Sequence, residues 1–364
     1  MNNPDYMTYR VIQVGTGGWG SAWCRDFLPP NISEGLIEVV AAVDLNPAAL
    51  QIARESLGLR ADQCYTDLFK AFDANRADFC TVVVPPAFHE EVVELALKHD
   101  MHILSEKPIA DTLEASVRIA DRVAHSGLKM GVTMSHRFDG DKTTLRQELR
   151  SGRYGRLDYL ACRFTCDCRK FGSWGKFRHE MLDPLMIEGA VHHLDILADL
   201  AGGVCDTIYA DTWNPGWGEY RGDSQGLVSI RMENGVRAHY EGAKSNAVGI
   251  NGWTKEYIRA ECELATVILS RRKVEIFRYD RSKCWRAVEP GSGAGETIPL
   301  LSQPKWANTW LIEKFVRWLD GGPPMETDVQ SNLQSAALVF AAIESSRTGL
   351  PIKVQEMLRE ASRS

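Results

Sequence analysis

The first 134 residues constrain the fold most, because short β-branched runs and amphipathic stretches alternate along them. The runs are YRVIQV (9–14), IEVVAAVD (37–44), FCTVVVP (79–85), MHILS (101–105) and KMGVTM (129–134), and helical patterns fall near residues 21–28, 47–57, 67–74, 88–98 and 112–126. Alternation of this kind predicts βαβ units and a parallel sheet. The nearly continuous apolar character of the runs is what a sheet covered on both faces requires. A doubly wound α/β domain over residues 1–134 is the expectation.

After residue 135 the texture changes. LDYLACRFTC, CDTIYADTW, QGLVSIRME, GVRAHYEGAK, YIRAECELATVILS and RKVEIFRYD read as longer strands, and Asn234-Gly235 is a two-residue hairpin signal. A helical stretch at about 183–201 precedes this meander. Two helices close the chain, the first with Trp306, Trp310 and Trp318 on a broad stripe that suits a core or an interface. Residues 135–364 are therefore expected to form an α+β domain with a large, mostly antiparallel open sheet, its C-terminal helices able to pack back on the first domain. A chain of 364 residues suits two such domains.

The net charge of -6 is mild, and no Lys/Arg-rich block marks a nucleic-acid or membrane-surface binder. The polar start MNNPDYMTYR lacks the basic-then-apolar pattern of a signal peptide, and no apolar run reaches the ~18 residues that span a bilayer. A cytoplasmic protein is expected. The nine cysteines are scattered except for Cys162, Cys166 and Cys168, which share parity and would line one strand face. Without a nearby histidine or fourth cysteine they make no tetrahedral metal set, so reduced thiols are expected.

The string Gly15-Thr16-Gly17-Gly18-Trp19-Gly20 follows a predicted strand and opens a predicted helix, the context a dinucleotide fingerprint needs. Gly15 allows the tight turn, Gly17 the approach of a pyrophosphate and Gly20 close helix–strand packing, while the helix start offers N–H groups to phosphates. Gly18 and Trp19 belong to the same cradle. Asp44 ends the next strand, where a carboxylate accepts hydrogen bonds from ribose hydroxyls and repels a 2′-phosphate; no arginine follows it. This favours NAD over NADP within a Rossmann domain. Asn46 before Pro47 suits the next helix's N-cap, and the turn-rich LPPNISEG accounts for the long gap from Gly20 to Asp44. Pro85 and His89 fall on the fourth βα connection, near the nicotinamide half; His89 equally suits a helix cap. Glu106 and Lys107 close the run MHILSEKP beside the same cofactor.

The run VVVPPAFHEEVVELALKHDMHILSEKPIA, with HRF (136–138), LRSGRYGRLDYL (149–160) and SSRTGLPIKV, closely resembles the glucose–fructose oxidoreductase, inositol dehydrogenase and rhizopine-catabolism family (Gfo/Idh/MocA). The resemblance implies a Rossmann domain followed by an open-sheet domain, NAD(P), a sugar or polyol substrate, a cis Lys107–Pro108 bond, and dimers or tetramers. Residue chemistry agrees: Lys107 is suited to stabilise charge developing on the reacting oxygen. In LMIEGAVHHLDILADL, helical spacing places Glu188, His192 and Asp195 on one face, so His192 is the expected base and a carboxylate its aligner. The family commonly has aspartate and glycine where this chain has Glu188 and Ala190. His193 lies off that face and is expected against neighbouring elements or the substrate rim. Arg137, Trp174, Lys176 and Arg178 are candidates to shape the substrate pocket. Glu188 and His192 also suit a shared ion, but with no third ligand beyond Asp195 no metal is expected. Two other functions stay open: an NAD-dependent glycosidase that oxidises its sugar transiently, and a non-catalytic NAD sensor.

Overall fold

The structure, a computed structural model, describes residues 7–283 and 288–363. Its contacts divide the chain into two compact units, Met1–Ser135 with Pro304–Leu333, and His136–Gln303 with Gln334–Ser364.

The first unit holds β1 (Tyr9–Val14), β2 (Ile37–Val43), β3 (Cys64–Tyr65), β4 (Phe79–Val82), β5 (His102–Ser105) and β6 (Met130–Val132). All pair in parallel, in the order β3-β2-β1-β4-β5-β6. Strand order reverses between β1 and β4, which places the ligand crevice of such a sheet at their carboxyl ends. The expected strands are present, and β3 is an addition too short to leave a sequence pattern. Helix Pro47–Leu57 starts as expected at Asn46, whose Oδ1 accepts from Ala48 N at 3.0 Å.

LPPNISEG is not the turn its composition suggests. The segment after the glycines runs as helix Trp19–Ala22, a π-helical turn Trp23–Phe27 and helix Leu28–Ser33. Both prolines fall in the first turn of the last piece, where a missing N–H loses little. Residues 304–333, assigned by sequence to the second domain, cluster with the first. Helix Ala307–Leu319 buries Leu311, Ile312, Phe315 and Val316, with the Phe315 ring edge-on to Phe79 at 5.2 Å. Lys129 Nζ donates to Trp318 O at 2.6 Å and Thr327 Oγ1 to Val132 O at 2.7 Å.

The second unit holds β7 (Leu157–Thr165), β8 (Cys205–Trp213), β9 (Gln225–Met232), β10 (Arg237–Ala243), β11 (Tyr257–Cys262), β12 (Ala265–Ser270), β13 (Lys273–Arg278), β14 (Glu296–Ile298) and β15 (Ile352–Lys353). They form one sheet in the order β14-β13-β12-β11-β7-β10-β9-β8-β15, antiparallel except where β7 and β10 run parallel. The β9–β10 hairpin is longer than the two-residue form: Met232 N bonds Val236 O, and Gly235 takes φ 88 in the loop between them. Helix Val191–Ala201 packs on β7 and β10 and carries His192. Among the described residues, no helix is long and apolar enough to cross a membrane.

Candidate active site

In the first unit the glycine turn is sterically obligatory. Gly15 has φ +87, and a Cβ there would lie 2.1 Å from Val83 O; a Cβ on Gly20 would lie 2.3 Å from Gly15 O. Gly18, at φ +50, has nothing within 4 Å of an added Cβ. Asp44 Oδ2 accepts from Thr16 N at 2.8 Å and Gly17 N at 2.9 Å, while Oδ1 accepts from Asn46 N at 2.9 Å. The half-buried Asp44 carboxylate thus pins the turn from the second strand. A glycine cradle at the switch point, open beyond Gly18 and backed by a carboxylate, fits a dinucleotide.

Glu106 is 6% exposed, and one of its oxygens gathers three donors. Trp19 Nε1 donates at 2.7 Å, Trp23 Nε1 at 2.9 Å and Asn308 Nδ2 at 3.0 Å, all to Oε1; Lys107 N donates to Oε2 at 3.3 Å. Trp19 of the fingerprint is thereby tied to the residue before Lys107. The Lys107–Pro108 peptide is cis, as the family resemblance implies. His89 is not the helix cap its position equally suited, because helix His89–Lys98 starts from Phe88 and has no side-chain cap. Its buried ring ties this turn to the end of β4, with Nδ1 3.0 Å from Pro108 O and Nε2 2.9 Å from Val84 O. Burial lowers the pKa of that imidazole. Pro85 lies exposed at the start of the same connection.

In the second unit, His192 is 6% exposed and its ring stacks on His136 at 3.9 Å, the planes 9° apart. Trp253 meets His192 edge-on at 6.1 Å. His193 faces neighbouring elements rather than a rim: it is fully buried, stacks on Phe164 at 4.7 Å, and places Nδ1 3.1 Å from Tyr240 Oη. Its Nε2 lies 3.7 Å from Glu256 Oε1, and Glu256 Oε2 accepts from Lys142 Nζ at 2.8 Å. Burial pushes the Glu256 carboxyl up, but His193 and Lys142 outweigh it and hold the group below the usual carboxylate range. Burial likewise works against Lys142, and Glu256, Asp141 and Asp139 keep it charged. A compensated charge cluster therefore lies beneath the histidines. The buried Lys244 ammonium sits 3.3 Å from the Trp174 ring centroid, 4.3 Å from that of Trp253 and 4.6 Å from that of Phe164.

Glu188 lies in a π-helical turn, Leu185–Ala190, directly ahead of helix Val191–Ala201, which carries His192 and Asp195. Glu188 Oε2 accepts from Arg178 Nε at 2.8 Å. Asp195 accepts both arms of the Arg137 guanidinium and Ser335 Oγ at 2.5 Å. Arg137, expected at a substrate, thus clamps Asp195, and it also lies 3.5 Å from Asp199. Arg178 bonds Trp174 O at 3.1 Å and covers the Trp174 ring, while Lys176 is exposed. No group of three or more potential ligands is arranged for a metal among the described residues.

His136, Lys142, Lys244, Trp253 and Glu256 escaped the sequence reading as site residues. His136, inside HRF, and Lys244, at the end of GVRAHYEGAK, lay in segments singled out for other reasons.

Comparison with known proteins gives a consistent picture. Residues 9–134 match a family described as the Gfo/Idh/MocA oxidoreductase family with an NAD-binding Rossmann fold, and residues 143–257 match the GFO/IDH/MocA C-terminal domain. An uncharacterised protein of Sinorhizobium fredii, y4oX, is 54% identical over 97% of this chain and 98% of its own length. An inositol 2-dehydrogenase of Corynebacterium glutamicum is 26% identical over 64% of this chain and 66% of its own. Among solved structures, an Agrobacterium radiobacter oxidoreductase in complex with NAD+, L-tartaric acid and magnesium superposes with a TM-score of 0.79 at 19% identity, covering 96% of this chain and 100% of that one. The WlbA dehydrogenase of Bordetella pertussis, in complex with NADH and UDP-GlcNAcA, gives 0.76 at 19% identity, covering 95% and 98%.

Proposed function

The chain belongs to the Gfo/Idh/MocA oxidoreductases, and from that premise we propose that it moves a hydride between NAD and a hydroxyl-bearing carbon of a sugar, an inositol or a related polyol. The supporting observation is the placement of Lys107. It follows the last residues of β5 at the carboxyl edge of the parallel sheet, on a turn fixed by Glu106, Trp19, Trp23 and Asn308. That edge is where such a sheet receives its dinucleotide.

NAD, when bound, supplies the nicotinamide ring that accepts or returns the hydride. Gly15, Gly17, Gly18 and Gly20 cradle its phosphates, and Asp44 selects the unphosphorylated ribose. Lys107 donates a hydrogen bond to the substrate oxygen and stabilises the charge that grows there. His192 takes the hydroxyl proton, its ring orientation set by the stack on His136. Trp174 and Arg178, in the segment before the catalytic helix, are placed to hold the sugar ring, a use for which aromatic faces suit C–H-rich surfaces.

A thermal-shift screen of sugars, inositols and their keto forms with NAD present, followed by NADH absorbance on the hits, tests the reading. A polyol-dependent rise in NADH, or its consumption with a keto form, is expected. Free sugar released with no change in NADH, or NAD binding with no turnover on the whole panel, would remove it.

A further inference from the structure

Cys166 and Cys168 have no part in the chemistry above, yet their sulfurs stand 3.5 Å apart just beyond β7. The backbone around them is pinned. Cys166 N donates to Ala243 O at 2.8 Å, Cys168 N to Lys244 O at 2.7 Å, and Asn246 N to Cys166 O at 3.3 Å. Reaching the disulfide bond length of about 2.05 Å asks the sulfurs to close by about 1.5 Å, within the reach of side-chain rotation. Cys162, by contrast, is buried inside β7, between partner strands β10 and β11.

The two thiols are unlike. Cys166 is buried and Cys168 half-buried, so a small solute meets Cys168 first. The hydrogen bond from Cys166, with Lys244 and His179 nearby, pulls the Cys168 thiol down against the effect of burial; the same bond and burial push Cys166 up. An accessible thiolate beside a protonated neighbour is the arrangement of an attacking and a resolving cysteine.

We propose that Cys166 and Cys168 form a peroxide-responsive dithiol that closes to an intrachain disulfide and, in closing, shifts the loop that carries Trp174. The Cys168 thiolate attacks one peroxide oxygen, the O–O bond breaks, and hydroxide leaves with a proton as water. Cys168 is then a sulfenic acid. The Cys166 sulfur attacks it, losing its own proton, and the S–OH bond breaks to release a second water. Two thiols lose two electrons in all, and one peroxide gains them.

The pair connects to the candidate site through two residues. Cys168 N holds the carbonyl of Lys244, whose ammonium lies on the rings of Trp174 and Trp253. Cys168 O accepts from His179 Nε2 at 3.1 Å, at the far end of the same loop. Drawing Cys168 toward Cys166 therefore pulls on both ends of the segment that positions Trp174.

Both cysteines fall in one tryptic peptide, residues 164–169. Full-length protein, reduced and then treated with stoichiometric hydrogen peroxide, should yield that peptide short of two hydrogens and resistant to alkylation until dithiothreitol is added. Tryptophan fluorescence should change with it and recover on reduction, and Trp174→Phe should lose the change. Cys166→Ser should stop at a sulfenic acid on Cys168 that dimedone traps, and Cys168→Ser should leave Cys166 open to alkylation. Full alkylation of both thiols in peroxide-treated wild type, or a sulfinic acid on Cys168 with no disulfide, overturns the proposal. A disulfide with unchanged fluorescence overturns its link to Trp174. The wild-type peptide decides the matter even where a serine variant does not fold.

Discussion

Lys107 and His192 are held in place by opposite means. The Lys107 turn is built by backbone sterics and by one carboxylate gathering N–H donors: Gly15 and Gly20 leave no room for a Cβ, and Glu106 collects two indoles and an amide. The His192 surroundings are built by stacked rings over compensated charges: His136 on one face, Trp253 at the edge, and Glu256 between His193 and Lys142 below. The first device tolerates no change of shape. The second tolerates changes of shape better than changes of charge, because an unpaired buried charge is the expensive state.

The largest effects test whether both regions serve one reaction. Lys107→Ala and His192→Ala should each lower turnover by roughly 10²–10⁴-fold, while calorimetry finds NAD binding intact. Undiminished turnover in either variant would falsify the division of labour between them.

Gly15→Ala probes the steric device alone. The added methyl meets the Val83 carbonyl at 2.1 Å and forces a side chain into φ +87. A cost on the order of 4 kcal/mol is expected, read as a lowered unfolding midpoint of the first unit and loss of NAD affinity. A variant that binds NAD like the wild type shows that the turn yields to an added methyl group.

Glu106→Gln is milder and sharper. It keeps the shape but removes the charge that accepts from Trp19, Trp23 and Asn308. Loss of charge-assisted hydrogen bonds of this kind costs about 1–3 kcal/mol. Because Trp19 belongs to the glycine fingerprint, NAD affinity should weaken along with turnover. If kcat falls with NAD affinity unchanged, the indoles report to Lys107 alone.

The same contrast explains what the sequence made legible. The first unit could be read because each constraint is local: a strand, then glycines at fixed offsets, then a helix, with Asp44 and Lys107 at strand ends. What escaped there was short or unusual, as with the two-residue β3 and the helix that accepts Pro29 and Pro30 in its first turn. The antiparallel sheet was legible as a class, but its site only in part. His136, Phe164, Lys244 and the segment with Trp253 and Glu256 are far apart in the chain, and no spacing announces that they meet. The helical pattern around Glu188 and His192 was readable, but not the π-helical turn Leu185–Ala190 within it, which a 3.6-residue period does not announce. Asp195 was assigned to a histidine, and only the fold brings Arg137 and Ser335 to it.

A change of similar size isolates the electrostatic device of the second unit. Asp139 precedes helix Gly140–Arg150 and sits 3.4 Å from Lys142; burial pushes its carboxyl up to about 6, against the pull of that lysine. An acid whose pKa is raised by folding contributes stability below its unfolded value, and that contribution is lost as pH rises from about 4 through about 6. Asp139→Asn cannot ionise and keeps the side-chain shape. It should therefore be more stable than the wild type at pH 7, by about 1–3 kcal/mol, with the advantage gone by about pH 4. Glu256→Gln should behave in reverse: the folded state lowers that pKa, so the wild type holds its advantage above the unfolded carboxylate value and loses it as pH falls. Denaturant titrations of the three proteins from about pH 2 to about pH 7 cover both windows. Slopes of the same sign for the two variants contradict a cluster in which Glu256 carries the compensated charge and Asp139 the excess one.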